Sequence, residues 1–338
     1  MKSPLALFAV ATLTPAVLIL TGAVRGGAWI LLAILFQTAL TSILDRWVHY
    51  VSPARATPTG GGLSIMLALV HFAVLPITVM ALAADHLLSL EKVGLFFAAG
   101  LFLGQVSHAN AHELIHRPTK LAHRLGMWVY ISILFGHHTS AHVLVHHQHV
   151  ATSDDPNTSR RGEGFYRFMI RAWIGSFKQG FAAEQARLAR IGAPFWRNPY
   201  LVYVGGAVLF IAIAAQFAGR GGVVAYIGLA AYAQTQLLMS DYVQHYALHR
   251  ARRDDGKPVP VNATHSWNSP HWFSSALLLN GTRHSDHHAH PARPYPALDL
   301  PEDAPMLPKP LPLMAAIALV PPLWRRVMDP LAERWAHA

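Results

Sequence analysis

The stretch VGLFFAAGLFLGQVSHANAHELIHR, residues 93–117, passes from an apolar run directly into two histidines spaced four residues apart. The apolar part, 93–111, is long enough to cross a bilayer as a helix. His112 and His116 then lie on one face of that helix where it leaves the membrane. A membrane span joined to a pair of candidate metal ligands is the pattern that decides the fold.

The composition of the 338-residue chain also indicates a membrane protein with a metal site. Hydrophobic residues make up 53% of the chain and charged residues only 13%, unlike a soluble domain. The 22 histidines outnumber the 17 acidic residues, and histidine is a common metal ligand. The sequence contains no cysteine, which excludes disulfides, iron–sulfur clusters, thiolate zinc sites and a cysteine nucleophile.

Apolar runs predict six transmembrane helices in three hairpins, over residues 5–23, 27–44, 62–84, 93–111, 199–218 and 222–240. The turns inside the hairpins carry Arg25, Lys92 and Arg220, and every other lysine and arginine falls on the opposite side. The positive-inside rule makes that side cytoplasmic, in agreement with Lys2 and Arg55 near span ends. The net charge of +10 is therefore assigned to membrane orientation, and no nucleic-acid partner is expected.

The predicted fold class is an all-α integral membrane protein with six transmembrane helices and a cytoplasmic histidine-box di-metal site. It is expected to be a multi-pass membrane protein with both termini in the cytoplasm. Two polar segments, 112–198 and 241–338, share the cytoplasmic side and hold nearly all the histidines. The last apolar patch, 313–320, is too short to cross and is expected to form an interfacial helix.

Histidines beside the membrane form three clusters at helical spacing and one single position. They are His112 and His116; His142, His146 and His147; His245; and His284, His287 and His288. Helical spacing gathers each cluster on one helix face. Nine imidazoles exceed the six positions of an octahedral ion, so the pattern predicts two adjacent metals with four or five ligands each. Neutral nitrogen ligands suit iron, copper, nickel and zinc, and leave the choice among these four open.

Carboxylates are expected around such ligands, because two divalent ions held by neutral imidazoles leave positive charge uncompensated. The candidates nearest in sequence are Glu113, Asp154, Asp155, Asp241 and Asp286. HELIH, residues 112–116, also has the HExxH pattern of zinc metalloproteases, in which the glutamate is the general base. A membrane metalloprotease would leave the other histidine clusters without a role, so it is only a remote alternative.

The chain resembles the integral-membrane alkane hydroxylases, within the wider superfamily of membrane fatty acid desaturases and hydroxylases. The resemblance rests on the six spans and on NAHELIHR (110–117), HVLVHHQHVATSDDP (142–156), GEGFYRF (162–168), DYVQHY (241–246), HSWNS (265–269) and RHSDHHAHPARPY (283–295). Family members commonly have glutamate where this chain has Ala141, and glycine where it has Ala247. Neither departure removes a candidate ligand, and the substrate and branch of the family stay open.

The resemblance implies one desaturase-like domain over residues 1–338, with two non-haem irons held by the nine clustered histidines and no bound flavin or haem. It implies O2-dependent hydroxylation of the terminal methyl of medium-chain alkanes to primary alcohols. Electrons would come from NADH through a rubredoxin reductase and a separate rubredoxin. Fatty acyl chains and xylene-type aromatics, hydroxylated or desaturated, are the alternative substrates.

An apolar substrate is expected to enter from the bilayer between helices. Large side chains on the spans are candidates for the wall of its channel, although packing or lipid contact is the commoner role for each: Trp29, Phe36, Trp47, Phe72, Phe96, Phe97 and Phe102.

Overall fold

The computed structural model describes residues 4–47 and 59–335, and within these ranges the regular secondary structure is helical apart from two isolated β-bridges. The helices are α1 (Pro4–Arg25), α2 (Ala28–Trp47), α3 (Gly61–Ala83), α4 (Ser89–Ile115), α5 (Lys120–Ser132), α6 (138–149), α7 (Phe165–Arg190), α8 (Tyr200–Gln244), α9 (Trp272–Leu277), α10 (His284–Ala289), α11 (Leu311–Ala318) and α12 (Pro321–Trp335). The prediction of an all-α protein is confirmed. Lys2, Arg55 and the final residues 336–338 of the second polar segment lie outside the described residues.

Five helices in the described ranges are long and apolar enough to cross a membrane, where the sequence predicts six: α1, α2, α3, α4 and α8. The difference arises in α8, which contains both the predicted fifth and sixth spans. Gly219 interrupts α8 with φ 61° and ψ −160°, a left-handed conformation that glycine adopts without strain.

The chain reverses direction at Gly219. Tyr203, before the break, packs on Ile131, and Gln234, after it, donates from Nε2 to the Ile133 carbonyl at 2.8 Å. A straight helix would separate residues 203 and 234 by ~46 Å, so both limbs can meet the same short segment only if α8 folds back on itself. Gly219 thus produces two apolar limbs from one run of helix.

Three segments in the described ranges widen from α-helical to π-helical turns: Phe36–Leu40, Leu103–Ser107 and His142–His146. The second lies within α4, which continues past the predicted end of the span at residue 111 and carries His112 out of the apolar region. The third contains two of the predicted ligands. Such turns are rare and are frequently found at functional sites.

Asp45, near the end of α2, joins a membrane helix to the second polar segment. Its buried Oδ1 accepts hydrogen bonds from the backbone N–H groups of Phe273 at 2.7 Å and Ser274 at 3.0 Å, in the first turn of α9. These two N–H groups have no partner within the helix, because they belong to its first turn. The carboxylate therefore fixes α9 to the membrane part of the protein.

Replacing Asp45 with alanine should lower the free energy of unfolding by about 1–3 kcal/mol, because it leaves buried N–H groups unpaired. Asp45→Asn should lose less, since the amide oxygen still accepts. Thermal unfolding of the detergent-solubilised protein measures both. Equal stability of Asp45→Ala and the unaltered protein would show that the two bonds do not hold α9.

Candidate metal centre

Five of the predicted histidines converge as one group, here called the five-histidine group: His112, His116, His142, His147 and His287. One nitrogen from each of the five rings lies within 4.8 Å of the corresponding nitrogen of every other ring. His142 Nε2 is central, at 2.8 Å from His112 Nε2 and 3.0 Å from His147 Nε2. The ends of α4, α6 and α10 thus contribute to a single site.

The other four predicted histidines form a second, fully buried group, here called the four-histidine group: His146, His245, His284 and His288. His284 Nε2 lies 2.9 Å from His245 Nε2 and 3.2 Å from His288 Nε2. The structure therefore brings together all nine histidines that the sequence predicts as ligands. It divides them five and four, as the ligand count suggested.

Neighbouring residues in two of the clusters point to different groups. The π-helical turn at His142–His146 places residues five apart side by side, so His142 and His147 share the five-histidine group while His146 enters the other. In α10, His284 and His288 lie one α-helical turn apart and share the four-histidine group, whereas His287 faces away from them. Two helices therefore supply ligand candidates to both groups and hold the groups next to each other.

The nitrogen geometry fits metal ions better than hydrogen bonding among the rings. A ring nitrogen offers either one hydrogen or one lone pair, so His142 Nε2 and His284 Nε2, which each face two other nitrogens, cannot be satisfied in pairs. Nitrogens bound to one ion at ~2.1 Å lie roughly 3.0–3.4 Å apart, close to the spacings observed. Among the described residues, the buried Nε2 atoms of His116 and His146 also have no hydrogen-bond partner.

Burial keeps most of these imidazoles in the neutral form that binds metals. It lowers the pKa of His116 and His284 to about 3. It also lowers the pKa of other members of both groups well below the usual value: His142, His147, His245, His287 and His288. The clustered rings are therefore not held apart by mutual charge repulsion at neutral pH.

His146 differs because it has a carboxylate partner. Its Nδ1–H donates to Asp155 Oδ2 at 2.9 Å, which directs Nε2 toward the four-histidine group. Burial disfavours the charged ring, but the charge and hydrogen bond of Asp155 outweigh this effect and raise the pKa of His146. Asp155 is itself fixed by Thr158 and by the backbone N–H of Asn157.

The remaining predicted carboxylates take other positions. Asp241 accepts a hydrogen bond from Asn157 Nδ2 at 2.6 Å. Since the backbone N–H of Asn157 donates to Asp155, Asp241 is linked to Asp155 through Asn157. Asp286 binds Arg293 at 2.6 Å, and Glu113 pairs with Arg117 at 3.3 Å. Asp154 is solvent-exposed. Among the five candidates, the described contacts place Asp155 directly against a clustered histidine.

The HSWNS segment, 265–269, forms hydrogen bonds next to His245 and next to the His284–His288 cluster. The Trp267 indole N–H donates to the Tyr246 carbonyl at 2.8 Å, next to His245. Asn268 exchanges two hydrogen bonds with Ser285, next to His284. The HSWNS segment therefore positions ligand candidates on two separate elements.

Ala247 occupies a left-handed backbone conformation, with φ 58°, at the position where the resembled family commonly has glycine. Alanine in this region costs roughly 1–2 kcal/mol, whereas glycine would lose ~0.4–1 kcal/mol through its freer unfolded chain. Ala247→Gly should therefore stabilise the protein slightly and Ala247→Val should destabilise it, as measured by thermal unfolding. A lower melting temperature for Ala247→Gly would show that the conformation carries no strain.

Both histidine groups border a cavity of about 50 Å³, here called the histidine cavity. His112, His142 and His287 line it from one group and His284 from the other. His108, Ser240, Leu278 and Leu311 also line an adjoining cavity of about 250 Å³, here called the apolar cavity. The apolar cavity lies between α4, the second limb of α8, and α11, so the candidate metal centre lies next to a space between two membrane helices and α11.

Sequence reasoning missed several residues of these cavities. His108 and His138 line the histidine cavity, and each lies one helical turn before a predicted ligand, a spacing that could have indicated them. Tyr232 and Met239 line the apolar cavity, while the suggested channel residues Trp29 and Trp47 are 40% and 78% exposed on α2. The cavity walls come from distant parts of the chain, so no local sequence signal marks them.

The fold and site together are those of a multi-helix membrane protein with a candidate two-metal centre. The fatty acid desaturase family model matches residues 91–314. Alkane 1-monooxygenase 1 of Pseudomonas aeruginosa is 36% identical over 71% of this chain and 64% of its own length, and an alkane 1-monooxygenase of Pseudomonas putida is 34% identical over 79% and 67%. The xylene/toluene monooxygenase hydroxylase component of Pseudomonas putida is 28% identical over 70% of this chain and 63% of its own length.

The chain belongs to the fatty acid desaturase family, and within it to the alkane monooxygenase group. It spans about 64% of the length of the Pseudomonas aeruginosa relative. The matched region, 91–314, contains all nine clustered histidines.

Proposed function

We propose that the protein is a non-haem di-iron monooxygenase that hydroxylates the terminal methyl of medium-chain alkanes to primary alcohols. The observation that carries the proposal is that the apolar cavity adjoins the histidine cavity, with His108, Ser240, Leu278 and Leu311 lining both. An unfunctionalised chain in the apolar cavity would lie next to the converging imidazoles. The similarity to the two alkane 1-monooxygenases supports this substrate class.

The five-histidine and four-histidine groups would each hold one iron. Imidazole also suits zinc, copper and nickel, but a monooxygenase needs a metal that changes oxidation state, which excludes zinc. The irons would supply the O2 and electron-transfer chemistry. The overall reaction balances as R–CH3 + O2 + 2 e⁻ + 2 H⁺ → R–CH2OH + H2O, so the donor must deliver two electrons for each alcohol.

The protein's own residues position the ligands and exclude water. Asp155 orients His146, and Asn268 and Trp267 fix the elements that carry His284 and His245. Leu278 and Leu311 line the junction of the two cavities, where the reacting methyl would pass. A dry channel protects a strongly oxidising centre from side reactions.

The proposed topology has six crossings in one desaturase-like domain over residues 1–338, because the two limbs of α8 cross separately. The inner membrane of a bacterium would contain it, with both termini and the histidines on the cytoplasmic side. The chain has no cysteine, so electrons would arrive from a separate rubredoxin and its NADH-dependent reductase. Of the arginines near α7, Arg171 is bound to Glu163, whereas Arg160 is exposed and free to meet an acidic partner or anionic lipid.

Two alternative functions would involve the same histidines. Fatty acyl or xylene-type aromatic substrates would suit the same histidines, and the 28% identical xylene/toluene relative favours the second of them. A zinc metalloprotease is disfavoured because His112 and His116 share their group with three more histidines, whereas catalytic zinc is held by three protein ligands and a water.

The test is hydroxylation of octane by the protein in nanodiscs supplied with NADH, rubredoxin and its reductase under ¹⁸O2. We expect 1-octanol that carries one ¹⁸O atom, and none when rubredoxin is omitted. The same mixture with xylene or a fatty acyl substrate separates the alternatives. Labelled product from these substrates, with none from octane, would overturn the assignment to alkanes.

A further inference from the structure

We propose that Tyr232 forms the far end of the substrate site and sets the longest alkyl chain that the enzyme accepts. This inference rests on the proposed function. It assigns the apolar cavity to one occupant, the tail of the alkane whose terminal methyl lies at the histidines.

The residues that line the apolar cavity extend along one limb of α8, away from the histidines. The cavity starts at His108 and Ser240, which it shares with the histidine cavity, and extends to Leu101 and Tyr232. Tyr232 and Ser240 belong to the same limb of α8 and are separated by ~12 Å along the helix axis. This length suits the tail of a medium-chain alkane, and Met239, Leu278, Leu311 and Ala315 supply much of its wall.

Tyr232 is held firmly enough to act as an end wall. Its ring stacks on Phe96 at a centroid distance of 6.0 Å and meets Phe97 edge-on at 5.7 Å. It also lies directly against Gly100 of α4, where a Cβ atom would clash with Tyr232 Cδ1. The ring is therefore confined by two aromatic neighbours and by the backbone of α4.

Phe96 and Phe97 thus have a packing role, which is the commoner role for large side chains on the spans. They brace Tyr232 from behind and do not line the apolar cavity themselves. Gly100 is part of the same arrangement, because any side chain there would displace the Tyr232 ring.

Chain-length selection tests the proposal. Nanodiscs that contain an equimolar mixture of alkanes from octane to hexadecane are supplied with NADH, rubredoxin and reductase, and the primary alcohols are quantified by gas chromatography. Tyr232→Ala should raise the share of the longer alcohols at least threefold. Tyr232→Phe should keep the distribution of the unaltered enzyme, because it preserves the ring.

Two further variants separate a local effect from a general one. Ala315→Leu narrows the same cavity and should shift products toward the shorter alcohols. Phe217→Ala removes an aromatic ring from a separate cavity that Phe210 and Tyr226 also line, and should leave the distribution unchanged. A loss of total activity alone is not the readout, since misfolding would reduce all products together.

These outcomes separate a failure of the Tyr232 inference from a failure of the proposed hydroxylase function. If the unaltered protein hydroxylates alkanes and Tyr232→Ala gives the same product distribution, the tail does not end at Tyr232 and the inference is wrong while the function stands. If the unaltered protein hydroxylates no alkane of any length, both are overturned.

Discussion

Replacing His284 with alanine should remove hydroxylase activity and one of the two metals. His284 Nε2 lies within 3.2 Å of two other ring nitrogens in the four-histidine group, so its loss opens the centre of that site. The activity should fall by more than the roughly 10–100-fold that the loss of an outer-shell partner of a metal site costs. Metal analysis and the octane assay, performed on the same preparation, measure both effects.

The five-histidine group should retain its metal in this variant, because its members come from the ends of α4 and α6 as well as from α10. His249→Ala is the matched control, since His249 is an exposed histidine four residues beyond His245. The control should keep both metals. Retention of both metals and near-normal activity by His284→Ala would contradict the assignment of the four-histidine group as a metal site.

Replacing Asp155 with alanine should weaken the four-histidine group without emptying the other. Asp155 is the carboxylate that accepts the Nδ1–H of His146, and such partners orient the ring and raise its strength as a ligand. We expect a metal affinity lower by about 10–100-fold at that group. Asp155→Asn should have a smaller effect, because its amide oxygen can accept the same hydrogen bond but carries no charge.

Chelator titration of the purified protein, followed by metal analysis at each step, measures the loss. Asp154→Ala is the neighbouring control, because Asp154 is exposed to solvent. The same chelator sensitivity in Asp154→Ala and Asp155→Ala would show that His146 does not need its carboxylate. Simultaneous loss of both metals would instead show that Asp155 supports the whole site, through its bonds to Thr158 and Asn157.

Local patterns allowed the sequence to predict the helical class and the identity of the clustered histidines. Apolar runs of bilayer length do not depend on distant contacts, and the end of α4 follows directly from 93–117. The separation of the predicted fifth and sixth spans was also a local signal, at Gly219, where α8 is interrupted and the chain reverses direction.

The division of the histidines between two groups could not be predicted from the sequence. An α-helical model places His142, His146 and His147 on one face, but the π-helical turn sends His146 to a different group from its neighbours. The cavities could not be predicted from the sequence for another reason. Leu101, Tyr232, Leu278 and Leu311 meet only after the membrane helices and α11 have packed together.

The metal content of the purified, unaltered protein tests the central claim most directly. Elemental analysis by mass spectrometry should find two iron atoms for each chain, one for the five-histidine group and one for the four-histidine group. A single zinc for each chain, unchanged when the cells are grown with added iron, would contradict the di-iron centre and return attention to the HELIH segment as a zinc site.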